Sequence, residues 1–402
     1  MLLFEEARRR ILADVPVTST ERIDLDRALG RVLAEDVVAH APRPPFDYSA
    51  MDGYVFALED IPAGEGPFTL PVVGESRTGG EIPARVEPGS ACRIFTGAVI
   101  PSRGEAVVMQ EDVTRDGAKA TFAKRPRRGE NIRRAGEDIA KGERALAKGT
   151  RLGPNQIALL ATLEHSRLTV ARRPVVTILS TGDELREAGE IDRPGSVVDS
   201  NGPALAAWVS ACGGEPRRVP FVRDDRAAVR AALESAMATS DLVLSIGGVS
   251  VGDHDVVKPA LEDAGVTLDF WKVAIKPGKP LAVGHLGAKR FLGLPGNPAS
   301  AILTFVLFGA PLLRAMQGDL APTAPPLRAR LSKDMKHGTG RLEFARGRLR
   351  LDTNGLIAEP LAQQASGSVP SMAWADALVL LDADRAEFAA GSDVTVMRFA
   401  DV

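Results

Sequence analysis

From residue 174 onward the chain alternates short apolar runs with amphipathic segments of helical period, and no other feature restricts its fold as strongly. The runs at 175–179, 218–222 and 242–246 read as strands. The stretches at 203–211, 226–239 and 256–264 read as helices, two of them closed by glycine at Gly213-Gly214 and Gly265. Continuous apolar strands are buried on both faces, and strands separated by single helices pair in parallel through right-handed crossovers. The expected fold is multidomain α/β, with a doubly wound parallel sheet over 171–320.

At about 150 residues per domain, 402 residues leave room for three or four domains. Leu3, Ala7, Ile11 and Leu12 set a helical period, and a second short helix is expected at 25–32. Prolines break the pattern at 42–45. Short apolar runs with turn signals then predict a β-rich inserted domain over 45–130. A helix at 154–163 and a strand at 167–172 are expected to pack back on the N-terminal helices, so that 1–44 and 131–170 form one helical and extended domain. The stretch Ala321-Pro322-Thr323-Ala324-Pro325-Pro326 is a stiff linker into a small C-terminal β domain, barrel-like, over 321–402.

Charge narrows the class of partner. Fifty basic side chains against 52 acidic ones give a net charge of -2, so no global field suits a nucleic-acid coat or a membrane surface. Any anion site must be built locally. The basic cluster at 124–134 reads as a solvated face. Cys92 and Cys212 are too few for a disulfide framework and read as buried thiols. The first residues lack a signal-peptide pattern, and the apolar stretch 299–313 is short and holds Ser300, Thr304 and Pro311, so a cytoplasmic location is expected.

In a doubly wound sheet the ligand lies beyond the carboxyl ends of the strands, where loops and helix N-termini converge. After 175–179 come Thr181, Gly182, Asp183 and Glu184. After 218–222 come Asp224 and Asp225. After 242–246 come Gly247, Gly248, Ser250, Gly252, His254 and Asp255. Each acid taken singly could simply cap the helix that follows it. Acids from three loops on one rim repel unless a cation sits among them, which points to a Mg²⁺ site. Glycines ahead of a helix let backbone N–H groups approach a phosphate, although neither GxxxxGK[ST] nor GxGxxG is present. Lys272, Lys276 and Lys279 follow, and strand alternation is expected to turn Lys272 and Lys276 to one side. Pro295, Gly296, Asn297 and Pro298 form a rigid loop ahead of another helix. In the β-rich region, Asp52-Gly53 is a good turn and Thr96-Gly97 ends a strand.

Eight collinear motifs then carry a resemblance: Ser49-Ala50-Met51-Asp52-Gly53-Tyr54, Ile94-Phe95-Thr96-Gly97, Gly136-Glu137-Asp138-Ile139, Ser180-Thr181-Gly182-Asp183-Glu184-Leu185, Asp199-Ser200-Asn201-Gly202, 247–252, 276–280 and 293–298. Together they resemble the molybdopterin molybdenumtransferases, called MoeA in bacteria and the gephyrin E domain in animals. The resemblance implies insertion of molybdate into adenylyl-molybdopterin with Mg²⁺-dependent release of AMP. It implies that Glu184, Asp224 and Asp255 lie on the metal and phosphate side, with Asp225 the rival of Asp224. Lys272, Lys276 and Lys279 are implied as anion-binding lysines, and Pro295 and Pro298 as shapers of the molybdate loop. Arg346 and either Ser368 or Ser371 are the implied C-terminal contributors. Asp52 and Thr96 are implied to reach the partner subunit's site in a homodimer, and an upstream adenylyltransferase and factors that mature molybdenum enzymes are the further partners. Molybdopterin adenylyltransferase is the alternative enzyme, and a gephyrin-like scaffold the alternative of another class.

Overall fold

A computed structural model describes residues 1–248, 257–353 and 355–402. The chain forms two compact units. One comprises Met1–Glu35, Gly149–Gly153 and Arg167–Val402, the other Asp36–Lys148 and Pro154–Ser166.

The larger unit opens with α1 (Phe4–Leu12), whose Phe4, Ala7 and Ile11 are buried. The expected second helix at 25–32 is absent: Thr20–Asp24 is a strand paired with Arg167–Ala171, and only Leu25–Arg27 makes a 3₁₀ turn. Gly30, at φ 73°, ends the turn and donates its N–H to the Leu152 carbonyl, and Val32 bridges Arg151, so distant backbone partners take the segment that helical spacing fits.

The central layer contains β1 (Val175–Ser180), β2 (Glu215–Arg218), β3 (Leu242–Ile246), β4 (Thr267–Lys272), β5 (Pro280–Leu286) and β6 (Lys289–Leu294) in the order β2-β1-β3-β6-β5-β4. β2, β1, β3 and β6 are mutually parallel, whereas β5 runs antiparallel to both β6 and β4. The expected doubly wound core is therefore a four-stranded parallel sheet with an antiparallel extension. Helices α2 (Asn201–Ala211), α3 (Arg226–Thr239) and α4 (Val257–Asp263) cover it. Alternation along the strands feeds two cores. Val176, Ile178, Leu242, Leu244 and Leu292 face one, while Leu179, Val243 and Phe291 join Val229, Leu233 and Leu261 in the other.

The first core also holds Phe4 of α1 and the helix Pro298–Ala315. That helix reaches 18 residues, long and apolar enough to cross a bilayer, contrary to the expectation from the sequence that the run is too short; 83% of it is buried inside the protein. Its middle turn, Phe305–Gly309, is π-helical just ahead of Pro311. A proline has no N–H and its ring crowds the carbonyl four residues back, and a widened turn relieves that crowding.

The C-terminal strands β7 (Leu327–Leu331), β8 (Leu342–Asp352), β9 (Gly355–Pro360), β10 (Ala377–Leu381) and β11 (Asp393–Arg398) pair in the circuit β8-β9-β7-β11-β10-β8, a closed five-stranded barrel. Ala329, Leu331, Ala345, Ala358, Val379 and Val396 fill it. Ile275–Lys276 adds a short parallel edge to the start of β8.

The smaller unit carries a six-stranded sheet that includes Gly53–Phe56, Phe68–Ser76, Ala91–Ile94 and Ala106–Met109 around Tyr54, Phe56, Phe68 and Phe122. In the basic cluster Arg128 pairs with Glu105, Arg133 with Asp138 and Arg134 with Asp47. These arginines are consumed by neighbouring carboxylates.

Candidate active site

Strand order reverses at β1, with β2 on one side and β3 on the other, so a crevice opens beyond the carboxyl ends of β1 and β3. A cleft of about 500 Å³ lies there, lined by Glu184 and Leu185 after β1, residues 197–201, Gly247 and Gly248 after β3, Pro280, and residues 295–298 after β6. The floor is backbone. Gly247 and Gly248 have φ of 85° and 63°, and a Cβ on Gly248 would meet Val257 Cγ2 at 2.4 Å. Gly296 lies so close to Gly247 that a Cβ there would be 3.7 Å from the Gly247 Cα, and the Gly247 N–H donates to the Leu294 carbonyl at 3.1 Å. The positive φ at Gly247 and Gly248 and the contact at Gly248 require glycine there, which leaves peptide groups on this side of the cleft.

Side chains fix the loops. Asn201 Nδ2 donates to the Gly296 carbonyl at 2.8 Å, and its Oδ1 is buried with no protein partner, an acceptor left for a ligand donor. Asp199 is 5% exposed; its Oδ1 accepts from the Gly202 N–H at 2.9 Å and its Oδ2 lies 3.3 Å from Arg218 Nη2. Asp199 thus anchors the start of α2. Ser200 lines the cleft beside it and Thr181 Oγ1 donates to the Ile246 carbonyl. Gly182 has φ of 146°, and a Cβ on it would meet Glu184 Oε2 at 2.5 Å, so glycine there makes room for the carboxylate. Asp183 and Glu184 are exposed, and only Glu184 lines the cleft.

The other expected acids separate. Val222 bridges Thr181 and extends β2 far enough to bring the loop with Asp224 and Asp225 to the same edge, both exposed. Asp225 is the N-cap of α3, its Oδ1 accepting from the Ala228 N–H at 2.9 Å. Ser250, Gly252, His254 and Asp255 lie outside the described residues. Among the described residues no three His, Cys, Asp or Glu side chains form a metal-binding group. Glu184, with Asp224 on the neighbouring loop, supplies hard oxygen donors of the kind Mg²⁺ takes one or two at a time beside phosphates and water.

The lysines do not share one strand. Lys272 ends β4 opposite Pro280, whereas Lys276 joins the barrel sheet opposite Glu343. Between them Leu2 pairs with Val273, and the Ile275 N–H turns back to the Val273 carbonyl at 2.9 Å, so the expected alternation is broken by a tight turn. Lys276 Nζ donates to Glu343 Oε2 at 2.9 Å, and Lys279 is exposed next to Pro280.

Arg346 in β8 is 1% exposed. Its Nε donates to Ser371 Oγ at 3.3 Å and its Nη2 to the Ala365 carbonyl at 3.0 Å, and burial pushes its pKa below the ordinary arginine value against the opposing pull of Glu343. Ser371 Oγ donates in turn to the Ser368 carbonyl, and Ser368 Oγ caps the Ser371 N–H. The loop these groups hold reaches the cleft through Ser366, whose carbonyl accepts from the Ala299 N–H at 2.9 Å and whose Oγ accepts from Asn297 Nδ2 at 3.1 Å. Sequence reasoning passes over Ser366, Gln364 and Glu343; only their neighbourhood to Arg346 in the folded barrel marks them.

In the smaller unit the Thr96 N–H and Oγ1 both donate to Asp52 Oδ1, at 2.7 and 2.8 Å. These bonds hold the Asp52 carboxyl below the usual carboxylate range. The two motif residues are one hydrogen-bonded pair.

Three family models match in order: the MoeA N-terminal region (domain I and II) over residues 2–163, a probable molybdopterin binding domain over 177–315, and the MoeA C-terminal region (domain IV) over 328–399. A molybdopterin molybdenumtransferase of Haemophilus influenzae is 37% identical over 99% of both chains, and one of Nostoc sp. is 38% identical over 94% of this chain and 88% of its own. The crystal structure of the molybdopterin biosynthesis MoeA protein from Pyrococcus horikoshii OT3 superposes with a TM-score of 0.86 at 30% identity, covering 99% of this chain and 100% of that one. With relatives matched end to end around the same cleft-bearing layer, the chain belongs to the molybdopterin molybdenumtransferase (MoeA) family.

Proposed function

We propose that this enzyme transfers molybdenum from molybdate to molybdopterin delivered as its adenylyl derivative, releasing AMP. The carrying observation is the cleft at the strand reversal, where peptide groups of Gly247, Gly248 and Gly296 meet and one carboxylate, Glu184, stands at the rim. Backbone N–H groups at the glycine loops suit phosphate oxygens, and the buried Asn201 Oδ1 suits an N–H donor on a pterin's polar edge. When bound, Mg²⁺ held by Glu184 and Asp224 would neutralise charge on the phosphates. Lys276, half-exposed beside the cleft-bearing layer, and Lys272 would hold the tetrahedral dianion, while Pro295 and Pro298 keep the 295–298 loop rigid. Arg346 and Ser371 act through the 364–371 loop rather than from the cleft wall. The dithiolene sulfurs that take the metal belong to the substrate, which agrees with a chain whose two thiols are buried.

The enzyme is also proposed to act in the cytoplasm as a homodimer in which the Asp52–Thr96 pair completes the partner's site, receiving its substrate from a molybdopterin adenylyltransferase. Full-length similarity to transferases on both sides of the central layer supports insertion over adenylylation. The test supplies adenylyl-molybdopterin and Mg²⁺ to the purified protein and measures AMP. Release that rises with added molybdate is expected. Release indifferent to molybdate would overturn the assignment.

A further inference from the structure

Lys276 does not face an open anion seat. Its Nζ donates to Glu343 Oε2 at 2.9 Å, and that carboxylate is 7% exposed while the lysine side chain remains 43% exposed. The same oxygen lies 3.3 Å from Nδ1 of His337, an imidazole only 1% exposed. Both neighbours of His337 Nε2 are backbone carbonyls, Asp382 O at 3.0 Å and Arg385 O at 2.7 Å. Carbonyls only accept, so the ring proton sits on Nε2. Neutral His337 therefore turns the Nδ1 lone pair toward a carboxylate, and Nδ1 is buried with no hydrogen-bond partner. Protonated His337 would place a second cation on the oxygen that Lys276 already uses.

The surrounding charges are otherwise committed. Lys336, on the strand before His337, pairs with Glu387, and Arg385 stacks on the Phe388 ring, which also packs against His337. Just before β8, Arg341 donates to the Ile275 carbonyl, and on β8 Arg346 donates to Ser371 and Ala365, with Arg346 adding its field to Glu343. From the turn after β10, Asp382 contributes its carbonyl to the ring.

We propose that Glu343 and His337 are positioning residues for Lys276: the imidazolium competes with the ammonium for the Glu343 carboxylate, and protonating His337 releases Lys276 to an incoming tetrahedral oxyanion. The inference rests on the reading of Lys276 as an anion-binding lysine. It makes molybdate capture, rather than the transfer step, the proton-sensitive event.

The experiment measures the KM for molybdate from about pH 6 to about pH 8.5, the interval in which imidazoles change charge. In the wild type KM is expected to fall roughly three- to tenfold toward the acid end, the scale of partially removing one charge competitor. His337→Gln, which can still donate to the two carbonyls, should give a flat profile at the high-pH level. Glu343→Gln should give a flat profile at or below the low-pH level. Lys276→Ala should raise KM throughout and abolish the slope. A flat wild-type profile overturns the proposal without any variant, as does a His337→Gln slope that matches the wild type. If Lys276→Ala leaves KM unchanged, the anion-binding reading itself fails; if it raises KM while the His337→Gln slope persists, that reading stands and only the positioning role is lost.

Discussion

Carboxylates on the loops after β1 and β2 have taken opposite duties here. Asp225 spends an oxygen on the first turn of α3, while Glu184 has no backbone N–H to cap and stands on the cleft wall. Asp225→Ala is expected to cost about 1 kcal/mol of stability, read from urea unfolding, and to leave molybdate-dependent AMP release standing. Glu184→Ala should do the reverse, abolishing release with little change in the unfolding midpoint. Asp241 offers a pH test. Burial works against its ionisation, yet the Arg172 fork at 2.9 Å, the Val175 N–H at 2.7 Å and the Arg172 charge outweigh it and hold its pKa below the usual value. A depressed folded pKa adds stability that is present above the unfolded value, near 3.9, and is lost as pH falls through the folded one. Asp241→Asn should therefore melt lower at pH 7 and lose less further stability than the wild type on acidification below about pH 4. For the thiols, burial pushes both Cys92 and Cys212 up to about 11. Only about one molecule in a thousand is then thiolate at pH 8, so iodoacetamide should leave the folded protein unlabelled and react after denaturation.

At the scale of elements, legibility in the sequence followed burial. β1, β3 and α3 are visible in the apolar pattern because burial along each is regular: β3 has all five residues buried, and α3 buries one stripe, Val229, Leu233, Ala236 and Met237, behind its Asp225 N-cap. The β5–β6 hairpin goes unread even though Leu286 and Lys289 pair across a Gly287-Ala288 turn, with Gly287 at φ 59°. That two-residue signal sits inside a region that the helix-strand rhythm upstream leads one to read as more crossover. The lysine segment fails for a different reason. Its periodicity is right locally, but Leu2, at the far end of the chain, supplies the bridge at Val273 that ends the strand. No window of sequence contains that partner. The site splits along the same line, since the loops after β1, β3 and β6 follow from strand ends, whereas the Glu343–His337–Lys276 cluster exists only once the barrel closes. α1 shows how such distant partners carry stability. Phe4 meets the rings of Phe308 at 5.5 Å and Phe344 at 5.1 Å, joining three segments of the larger unit. Phe4→Ala should cost about 3 to 5 kcal/mol in chemical denaturation, whereas the exposed Leu3→Ala should fall within about 0.5 kcal/mol.

At the scale of the whole molecule, the motif residues are divided between two compact units: Asp52 and Thr96 in one, Glu184, Lys276 and the glycine floor in the other. Each set is complete as local structure. Thr96 saturates one Asp52 oxygen and holds the carboxyl ionised, while the cleft forms from strands and loops of the larger unit alone. Under the proposed homodimer, that ionised carboxylate would serve a substrate bound to the second subunit. Complementation decides it. Chains carrying Asp52→Ala and chains carrying Glu184→Ala are each expected to be inactive. After co-refolding in equal amounts, half of the chains pair as mixed dimers, and each mixed dimer holds one site built from two intact contributors. Activity should then recover to about a quarter of the wild-type rate per total chain, because half of the dimers carry one working site of two. Recovery that stays at zero, with mixed dimers demonstrated by differently tagged chains, would show that every site draws Asp52 and Glu184 from a single chain.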